Sequence, residues 1–307
     1  MSQTDIPAEA ADWVRGHVGR HAAWALPVDL SGARAWRMSS PQGLIDIRVT
    51  RTDEEFGREV YAHRHAIRRL GPSHGPRLLA SEPRLRSLLT VQPRAWRIDS
   101  TALHRLPRVH EDAGQLLRVL HDSVSRAREA HAQAARATAL YAQRLRALAD
   151  HLPAVVPPIH AAAVRRSASF TLEHARELPP AFCHGTFGPA NWEWQSQTQT
   201  LSLTGFGRSQ LLGAVIDFAR PALVWAEHPH LRESFLKAYG RALSKPELLV
   251  LPHVSVLTSG EDLLHAIQFR DSESISTAAA ALRLAVDRNG SMPEVGSPTA
   301  IDASERR

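Results

Sequence analysis

Cysteine and lysine are both scarce in this 307-residue chain. The single cysteine, Cys183, excludes an internal disulfide and a cysteine-rich metal site. It directly precedes His184, so a nucleophilic Cys/His pair has to be weighed. Neighbours on an extended strand point to opposite faces, however, which favours a buried packing thiol. The only lysines, Lys237 and Lys245, come late in the chain, although Lys and Arg together number 37.

Long apolar runs are missing as well. No window approaches 18 uninterrupted apolar residues, and the N-terminal stretch MSQTDIPAEAADW has no basic segment followed by an apolar one. We therefore expect a cytoplasmic protein that does not attach to a membrane. With 43% hydrophobic and 22% charged residues, the composition is typical of a globular protein with one large domain or two lobes around a cleft.

The net charge of +6 and the pI near 10.3 raise the question of a nucleic-acid partner. The basic residues are spread along the chain, and no interleaved aromatic residues mark a base-stacking surface. Histidines number 17, but their close pairs lack helical ligand spacing with a third ligand nearby. These pairs are His63/His65, His110/His121 and His228/His230. We expect neither a nucleic-acid partner nor a histidine-bound metal.

Hydrophobic periodicity predicts the order of the elements in the first part of the chain. Short strands are expected at Ala33–Met38, Leu44–Val49, Leu78–Ala80 and Ser87–Val91. Between the second and third strands, TDEEFGREVYAHRHAIRRLG predicts a helix that Thr52 or Asp53 can cap and Gly71 can end. Helices follow over 108–150 with a break near 122–126, and HLPAVVPP ends them.

The rest of the chain is predicted as a hairpin at WEWQSQTQTLSLTGF and then mostly helix to about residue 289. The final stretch is rich in Gly, Pro and Ser and predicts a disordered tail. Four segments are therefore expected: an N-terminal segment 1–23, a small lobe 24–95, a helical lobe 96–289 and the tail 290–307. The fold class predicted is α+β.

Four stretches carry a resemblance to a known family. They are REVYAHRHAIRRLG, VHEDAGQLLRVLH, CHGTFGPANW and LTGFGRSQLLGAVIDFARP. In this order and spacing, over roughly residues 30–285, they resemble the aminoglycoside phosphotransferase and choline kinase family. The resemblance implies a two-lobed protein-kinase-like fold, with a small β-rich N-terminal lobe and a large helical C-terminal lobe.

In the family, a strand lysine holds the nucleotide phosphates and a helix glutamate orients it. By position, Arg48 stands where the lysine belongs and Glu59 matches the glutamate, which makes this pair the predicted nucleotide or ligand contact. No alignment shift can restore a lysine, because none precedes residue 237. Alternatively, Arg48 is a solvent-facing strand residue and Glu59 a surface acid. The glycine-rich phosphate loop is not evident, since Gly32 is the only glycine between Leu26 and Met38.

The catalytic loop of the family carries a base aspartate, an asparagine and, further on, a magnesium-binding aspartate. In CHGTFGPANW, Thr186 takes the base position and Asn191 keeps the asparagine, while Gly205 stands at the magnesium aspartate. His184 is expected to anchor the loop rather than to carry a proton. Asp217 of VIDFARP is the alternative acid, but that alignment inserts about a dozen residues, and Asp217 fits a later structural aspartate of the family.

Two functions remain open on this evidence. The first is a pseudokinase, with no cofactor of its own, that binds a ligand, a peptide or a partner protein in the former active-site cleft. The alternative is an atypical phosphotransferase that uses ATP or GTP with Mg²⁺ on a small molecule or a peptide Ser/Thr. Actinobacterial proteins of similar appearance include resistance kinases and peptide-modifying kinases of natural-product pathways. The resemblance therefore implies a neighbouring biosynthetic enzyme, or an acidic or peptide ligand, as the partner.

Overall fold

The structure is a computed structural model that describes residues 6–19, 27–30, 33–40, 43–93, 96–97, 105–124, 128–195, 197–269 and 272–290. Of the tail predicted at 290–307, only residue 290 is among these residues. Gly32 also lies outside them. The helices are α1 (Ala8–Val18), α2 (Asp53–His65), α3 (Pro107–His121), α4 (Arg128–Leu148), α5 (Pro158–His174), α6 (Ala219–Trp225), α7 (Pro229–Tyr239), α8 (Lys245–Phe269) and α9 (Ser272–Gly290).

The strands confirm the predicted small β-rich lobe. They are β1 (Pro27–Leu30), β2 (Ala33–Ser40), β3 (Gly43–Val49), β4 (Arg77–Glu82), β5 (Ser87–Gln92), β6 (Trp96–Arg97), β7 (Pro180–Cys183), β8 (Trp192–Gln195), β9 (Thr200–Leu203) and β10 (Gln210–Gly213). The first five form an antiparallel sheet in the order β1-β2-β3-β5-β4. Short helical turns also occur, for instance at residues 206–208.

The register of the sheet decides which side chains face the cleft. Trp36 pairs with Ile47, and Ile47 pairs with Leu89, so these three side chains share one face. They are buried together with Val14 of α1, which covers this face. Because successive side chains on a strand alternate, Arg48 lies on the other face, toward α2.

Helix α2 begins where the sequence predicts and ends earlier. The hydroxyl of Thr52 accepts a hydrogen bond from the backbone N–H of Glu55 at 3.1 Å, so Thr52 is the N-cap. Regular helix ends at His65, and a short helical turn leads to Gly71, which has a φ of +81°. The predicted helix was therefore too long at its C-terminal end.

The larger lobe is helical, as predicted, and is built on two apolar cores, one around α3 and α7 and one between α4, α5, α8 and α9. Helices α3 and α7 pack together, as do α8 and α9, and α4 packs on α5. Two short sheets flank residues 184–191, which correspond to the catalytic loop of the resembled family and are called the catalytic loop below: β7 pairs with β10, and β8 pairs with β6 and β9. The hairpin β8–β9 was predicted, whereas α1, α5, β1 and β10 were not. Among the described residues, no helix is long and apolar enough to cross a bilayer.

Candidate functional site

A cleft of about 270 Å³ lies between the two lobes, where the resemblance places the active site. Strand β3 and helix α2 supply one wall, and the catalytic loop, the turn at 206–208 and helices α4 and α8 supply the others. Charged groups of both signs line it: Arg48, Arg51, Glu54, Glu55, Arg58, Arg144, Arg208 and Glu261. A ligand in this cleft therefore meets charged groups of both signs.

Arg48 and Glu59 come together as the resemblance implies. Their Nε and Oε2 atoms are 3.1 Å apart, and both residues are buried, although the two atoms are not aligned as a hydrogen bond. A second acid, Glu55, lies 3.4 Å from the Nη2 atom of Arg48. Burial raises the pKa of Glu59, and the charge of Arg48 opposes that rise. Arg48 is therefore not a solvent-facing strand residue, and Glu59 is not a surface acid.

The guanidinium of Arg48 also contacts the helical lobe. A Cβ atom on Gly207 would lie only 2.6 Å from Nη2 of Arg48 and 3.1 Å from Oε1 of Glu55. Glycine at this position lets the turn at 206–208 approach the arginine closely. Arg48 thus joins β3, α2 and the turn, and this contact holds the cleft's inner end together.

His184 anchors the catalytic loop in its neutral form. Its Nε2–H donates to the carbonyl of Thr204 at 2.8 Å, and Nδ1 accepts from the backbone N–H of Thr186 at 3.3 Å. This arrangement requires a proton on Nε2 only. Burial lowers the pKa of His184 to about 4, so the imidazole is neutral near pH 7. The geometry matches the anchoring role predicted for this residue.

The three positions that would hold the base and the metal are packed against one another. The hydroxyl of Thr186 is 3.2 Å from Nδ1 of His184 and 3.4 Å from the carbonyl oxygen of Gly205. Asn191 donates from Nδ2 to the carbonyl of Thr186 at 2.8 Å. Its Oδ1 atom fills the space that a Cβ atom on Gly205 would need. Asn191 therefore braces its own loop.

Asp217 fixes the backbone of the catalytic loop by hydrogen bonds. Its carboxylate accepts from the backbone N–H of His184 at 2.7 Å and of Gly185 at 2.8 Å, and from Nε2 of His121 at 3.1 Å. The side chain is fully buried. A carboxylate engaged in this way has little capacity left for a metal ion. The geometry favours the structural alignment of Asp217 over the alternative that makes it the metal-binding acid.

Cys183 lies beside this aspartate. His121, Cys183 and Asp217 place potential ligand atoms within 4.8 Å of one another, the one such group of three among the described residues. His121 is bonded through both nitrogens, since Nδ1 is 2.8 Å from the hydroxyl of Tyr239. Burial raises the pKa of the Cys183 thiol well above its ordinary value. These three side chains therefore pack around the loop.

Sequence reasoning missed the polar groups that helix α8 adds. Glu261 lies 3.3 Å from Nη1 of Arg208 and accepts from the hydroxyl of Tyr141 at 3.0 Å. Burial and then the charge of Glu261 raise the pKa of Tyr141. Asp262 binds Arg220 through two hydrogen bonds of 2.9 and 2.7 Å, and Arg220 donates to the carbonyl of Gly185 at 3.2 Å. Arg220 belongs to the quoted VIDFARP stretch, whereas no local motif marks α8.

A five-stranded antiparallel lobe, a larger helical lobe and a loop of this kind define the class of the protein: a protein-kinase-like phosphotransferase fold. By sequence, no protein-family model and no curated protein matches the chain. Comparison with solved structures confirms the fold of the aminoglycoside phosphotransferases and choline kinases.

Three solved structures illustrate the likeness. A Plasmodium vivax ethanolamine kinase superposes with a TM-score of 0.63 at 10% identity, covering 92% of this chain and 85% of its own. A macrolide 2'-phosphotransferase type I gives 0.60 at 13%, covering 90% and 98%. A choline/ethanolamine kinase family protein from Mesorhizobium loti gives 0.60 at 17%, covering 92% and 94%. Identities this low establish the fold alone.

Proposed function

We propose that this chain is a pseudokinase of the phosphotransferase fold, which binds a ligand in the cleft without transferring phosphate. One observation carries the proposal. The two positions that need carboxylates hold Thr186 and Gly205, and Asn191 is turned onto both of them. Asp217, the alternative acid by alignment, is engaged by the loop's own N–H groups.

The losses are large in energetic terms. A threonine hydroxyl has no proton-accepting form near neutral pH, and a positioned base contributes about 10²–10⁴ in rate. Without a carboxylate at Gly205, a magnesium ion loses a charged oxygen ligand, and metal stabilisation of the phosphoryl group contributes several kcal/mol more. The two losses together leave little of the catalytic power expected of an active member.

The cleft's cations suggest the class of ligand. Arg58 and Arg144 reach the cleft from opposite lobes, and Arg208 joins them from the turn at 206–208. Arg58 is paired with Glu54 and Arg208 with Glu261, but arginines outnumber acids in the lining, five to three. Guanidinium groups in a partly enclosed cleft favour carboxylates and phosphates. We therefore propose an acidic peptide or a phosphorylated ligand, bound without a metal ion. A neighbouring biosynthetic enzyme remains the proposed partner in whose pathway such a ligand would occur.

A second candidate function has its own support. Glu55 and Glu261 place carboxylates on two walls of the cleft, and either can in principle replace the missing acids. Both face arginines, Glu55 toward Arg48 and Glu261 toward Arg208, at 3.4 and 3.3 Å. Carboxylates paired in this way are less available to a metal ion. An atypical ATP- or GTP-dependent phosphotransferase is therefore the less favoured proposal.

Calorimetric titration separates the two proposals. ATP and GTP are titrated with and without Mg²⁺, beside a phosphate-release assay on the same protein. The pseudokinase proposal expects no magnesium-dependent release, and any nucleotide affinity should be unchanged by Mg²⁺. Release that is lost in Glu261→Gln or Glu55→Gln, but kept in the control Glu9→Gln, would establish the enzyme instead.

The ligand class is tested with cleft variants. Fluorescently labelled acidic and basic peptides, and inorganic phosphate, are titrated against the wild type and Arg144→Glu. Arg144 is exposed, so its reversal should spare the fold. Weaker binding of the acidic probes by this variant, with no change in the control Arg232→Glu, is expected. Equal binding by all three proteins would reject the cleft as the site.

A further inference from the structure

A second basic surface lies outside the cleft, on helices α4 and α5. We call it the α4–α5 groove. It has a volume of about 690 Å³ and includes α4 residues together with Leu172, Glu173 and the turn that follows α5. Its cationic rim consists of Arg128, Arg136 and Arg176.

The rim arginines are exposed, and none of them forms an ion pair within the described ranges of the chain. Among the described residues that line the groove, Glu173 is the only acid. The backbone of Arg176 is held in place, because its carbonyl accepts from Nε2 of His131 at 2.9 Å. The groove therefore presents a surplus of positive charge on a fixed backbone.

The basic surface continues along both helices. A second depression of about 460 Å³ shares Glu173 with the groove, and Arg146, Arg165 and Arg166 line it. Of these, Arg165 bonds to Asp150 at 2.9 Å. From Arg128 to Arg146 helix α4 rises about 27 Å at 1.5 Å per residue. A surface of this length exceeds a single small anion and suits a helical segment.

The floor of the groove is apolar. Ala132, Ala135 and Ala139 follow one another at helical spacing along α4, and Leu172 of α5 completes the floor. Leu140, one turn beyond Arg136, is 64% exposed. Small floor residues between cations would accept apolar side chains in the middle and carboxylates at the sides.

We propose that the α4–α5 groove docks an acidic amphipathic helix of a partner protein. Charge complementarity and the length of the basic surface carry this assignment, and it does not depend on what the cleft binds. Nucleic acid would find the same charges, but the described residues of the groove include no Phe, Tyr or Trp on which bases can stack, and the ring of His131 is bonded to the carbonyl of Arg176.

The test uses a labelled helical peptide of about 18 residues, matched to the length of α4 from Arg128 to Arg146. Glutamates occupy one face and leucine with alanine the other, and a scrambled peptide of the same composition is the control. Fluorescence anisotropy with the full chain measures affinity. The double variant Arg136→Glu/Arg176→Glu should weaken binding at least about tenfold, which is 1.4 kcal/mol. The matched surface variant Arg232→Glu should not.

A neutral variant separates docking from charge attraction. Ala132→Trp fills the floor without changing the charge, and Ala132 is exposed, so the fold should tolerate it. Ala132→Trp should weaken binding of the amphipathic peptide and leave binding of the scrambled peptide unchanged. Hydrogen exchange on the complex should protect residues 128–139 and 172–176 rather than the cleft.

Three results would overturn the docking proposal. The first is an absence of peptide binding at low salt, and the second is equal affinity for the amphipathic and scrambled peptides. The third is displacement of the peptide by a single-stranded RNA oligonucleotide that binds more tightly, which would assign the surface to nucleic acid. Loss of ligand binding to the cleft in the Arg144→Glu variant affects none of these three results. The docking proposal and the proposed cleft function can therefore be rejected independently of each other.

Discussion

Asn191 fills, with its side-chain oxygen, the space that a side chain on Gly205 would need. Gly205 has a φ of +79°, a left-handed conformation that glycine adopts without strain. The amide nitrogen of Asn191 meanwhile holds the carbonyl of Thr186. The asparagine that would share a metal ion with an aspartate has thus become part of the loop's own packing.

The first prediction compares two left-handed glycines. Gly240 has a φ of +84° with open space around its Cα, whereas Gly205 is blocked by Asn191. Both Gly→Ala substitutions should cost about 1–2 kcal/mol of backbone strain. Gly205→Ala should cost roughly a further 1–3 kcal/mol, because Asn191 must move. Urea unfolding of both variants measures the difference.

The double variant Gly205→Ala/Asn191→Ala provides the control. Removal of the Asn191 amide should recover part of the added cost, although it also removes the hydrogen bond to Thr186. Equal destabilisation at residues 205 and 240 would mean that Asn191 does not occupy this space. Gly205→Asp should likewise fail to create magnesium-dependent nucleotide binding, since the new carboxylate meets Asn191 first.

The second prediction concerns the buried pair Arg48 and Glu59. Arg48→Met should destabilise the protein by roughly 3–5 kcal/mol, because it leaves Glu59 buried without a cation within 4 Å in the described part of the chain. The double variant Arg48→Met/Glu59→Leu should recover most of this loss. Arg58→Met, whose partner Glu54 is exposed, should change stability by less than about 1 kcal/mol.

A double-mutant cycle from urea unfolding checks this coupling. An additive cycle, with the double variant no more stable than Arg48→Met, would show that the pair is not coupled in solution. The result also bears on binding tests. Reversing the charge of Arg48 to test ligand binding would disturb the fold, since the side chain is only 6% exposed.

The sequence predicts the cleft's inner pair but not its outer walls, for physical reasons. Strand alternation and helix spacing place Arg48 and Glu59 on facing surfaces, and a known fold then brings them together. Arg208 and Glu261, by contrast, meet across 53 residues of chain, and no local pattern encodes that contact. The same holds for β10, a four-residue strand that depends on non-local contacts, pairing with β7 and packing on α4.

The absence of the two carboxylates can be predicted from the sequence, whereas the packing of Asn191 against Thr186 and Gly205 cannot. A position-by-position comparison identifies Thr186 and Gly205 as departures from the family. It does not reveal which group fills the vacated space, because that depends on the rotamer of Asn191 and the conformation of Gly205. Likewise, the alignment alone favours a structural role for Asp217. The hydrogen bonds from two backbone N–H groups of the loop to its carboxylate are visible only in the structure.

The third prediction tests Asp217 as a structural residue. Asp217→Asn replaces one acceptor oxygen by an amide that cannot accept from a backbone N–H. It should destabilise the protein by roughly 3–5 kcal/mol, since hydrogen bonds to a buried charge are lost. Asp150→Asn is the control. Because Asp150 is exposed, this substitution should change the free energy of unfolding by less than about 0.5 kcal/mol.

Thermal unfolding and nucleotide titration are measured on the same Asp217→Asn sample. A variant of full stability that loses magnesium-dependent turnover would restore the rejected alignment, in which Asp217 is the metal-binding acid. A destabilised variant without any change in metal dependence supports the loop-bracing role.

The last prediction follows from the neutral, buried His184. Its pKa is about 4 in the folded chain against 6.5 for the free side chain, so below pH 6.5 the unfolded state binds the proton first. Stability contributed by the neutral imidazole is therefore fully present above pH 6.5 and is lost as the pH falls toward 4. The loss from this one group should reach up to about 3 kcal/mol, at 1.36 kcal/mol per pKa unit. His63, whose pKa burial also lowers to about 4, adds to the same trend.

Urea unfolding at pH 7.5, 6 and 5 measures this slope in the wild type and in His184→Gln. Glutamine can still donate to the carbonyl of Thr204 but has no proton to gain in this range. The variant should be less stable at pH 7.5, because the acceptor for Thr186 is lost, and its stability should fall less steeply with acid. The exposed His17→Gln variant should keep the wild-type slope. If His184→Gln and wild type have the same slope, His184 is not the buried neutral anchor that its hydrogen bonds describe, since a group protonated equally in both states contributes no pH dependence.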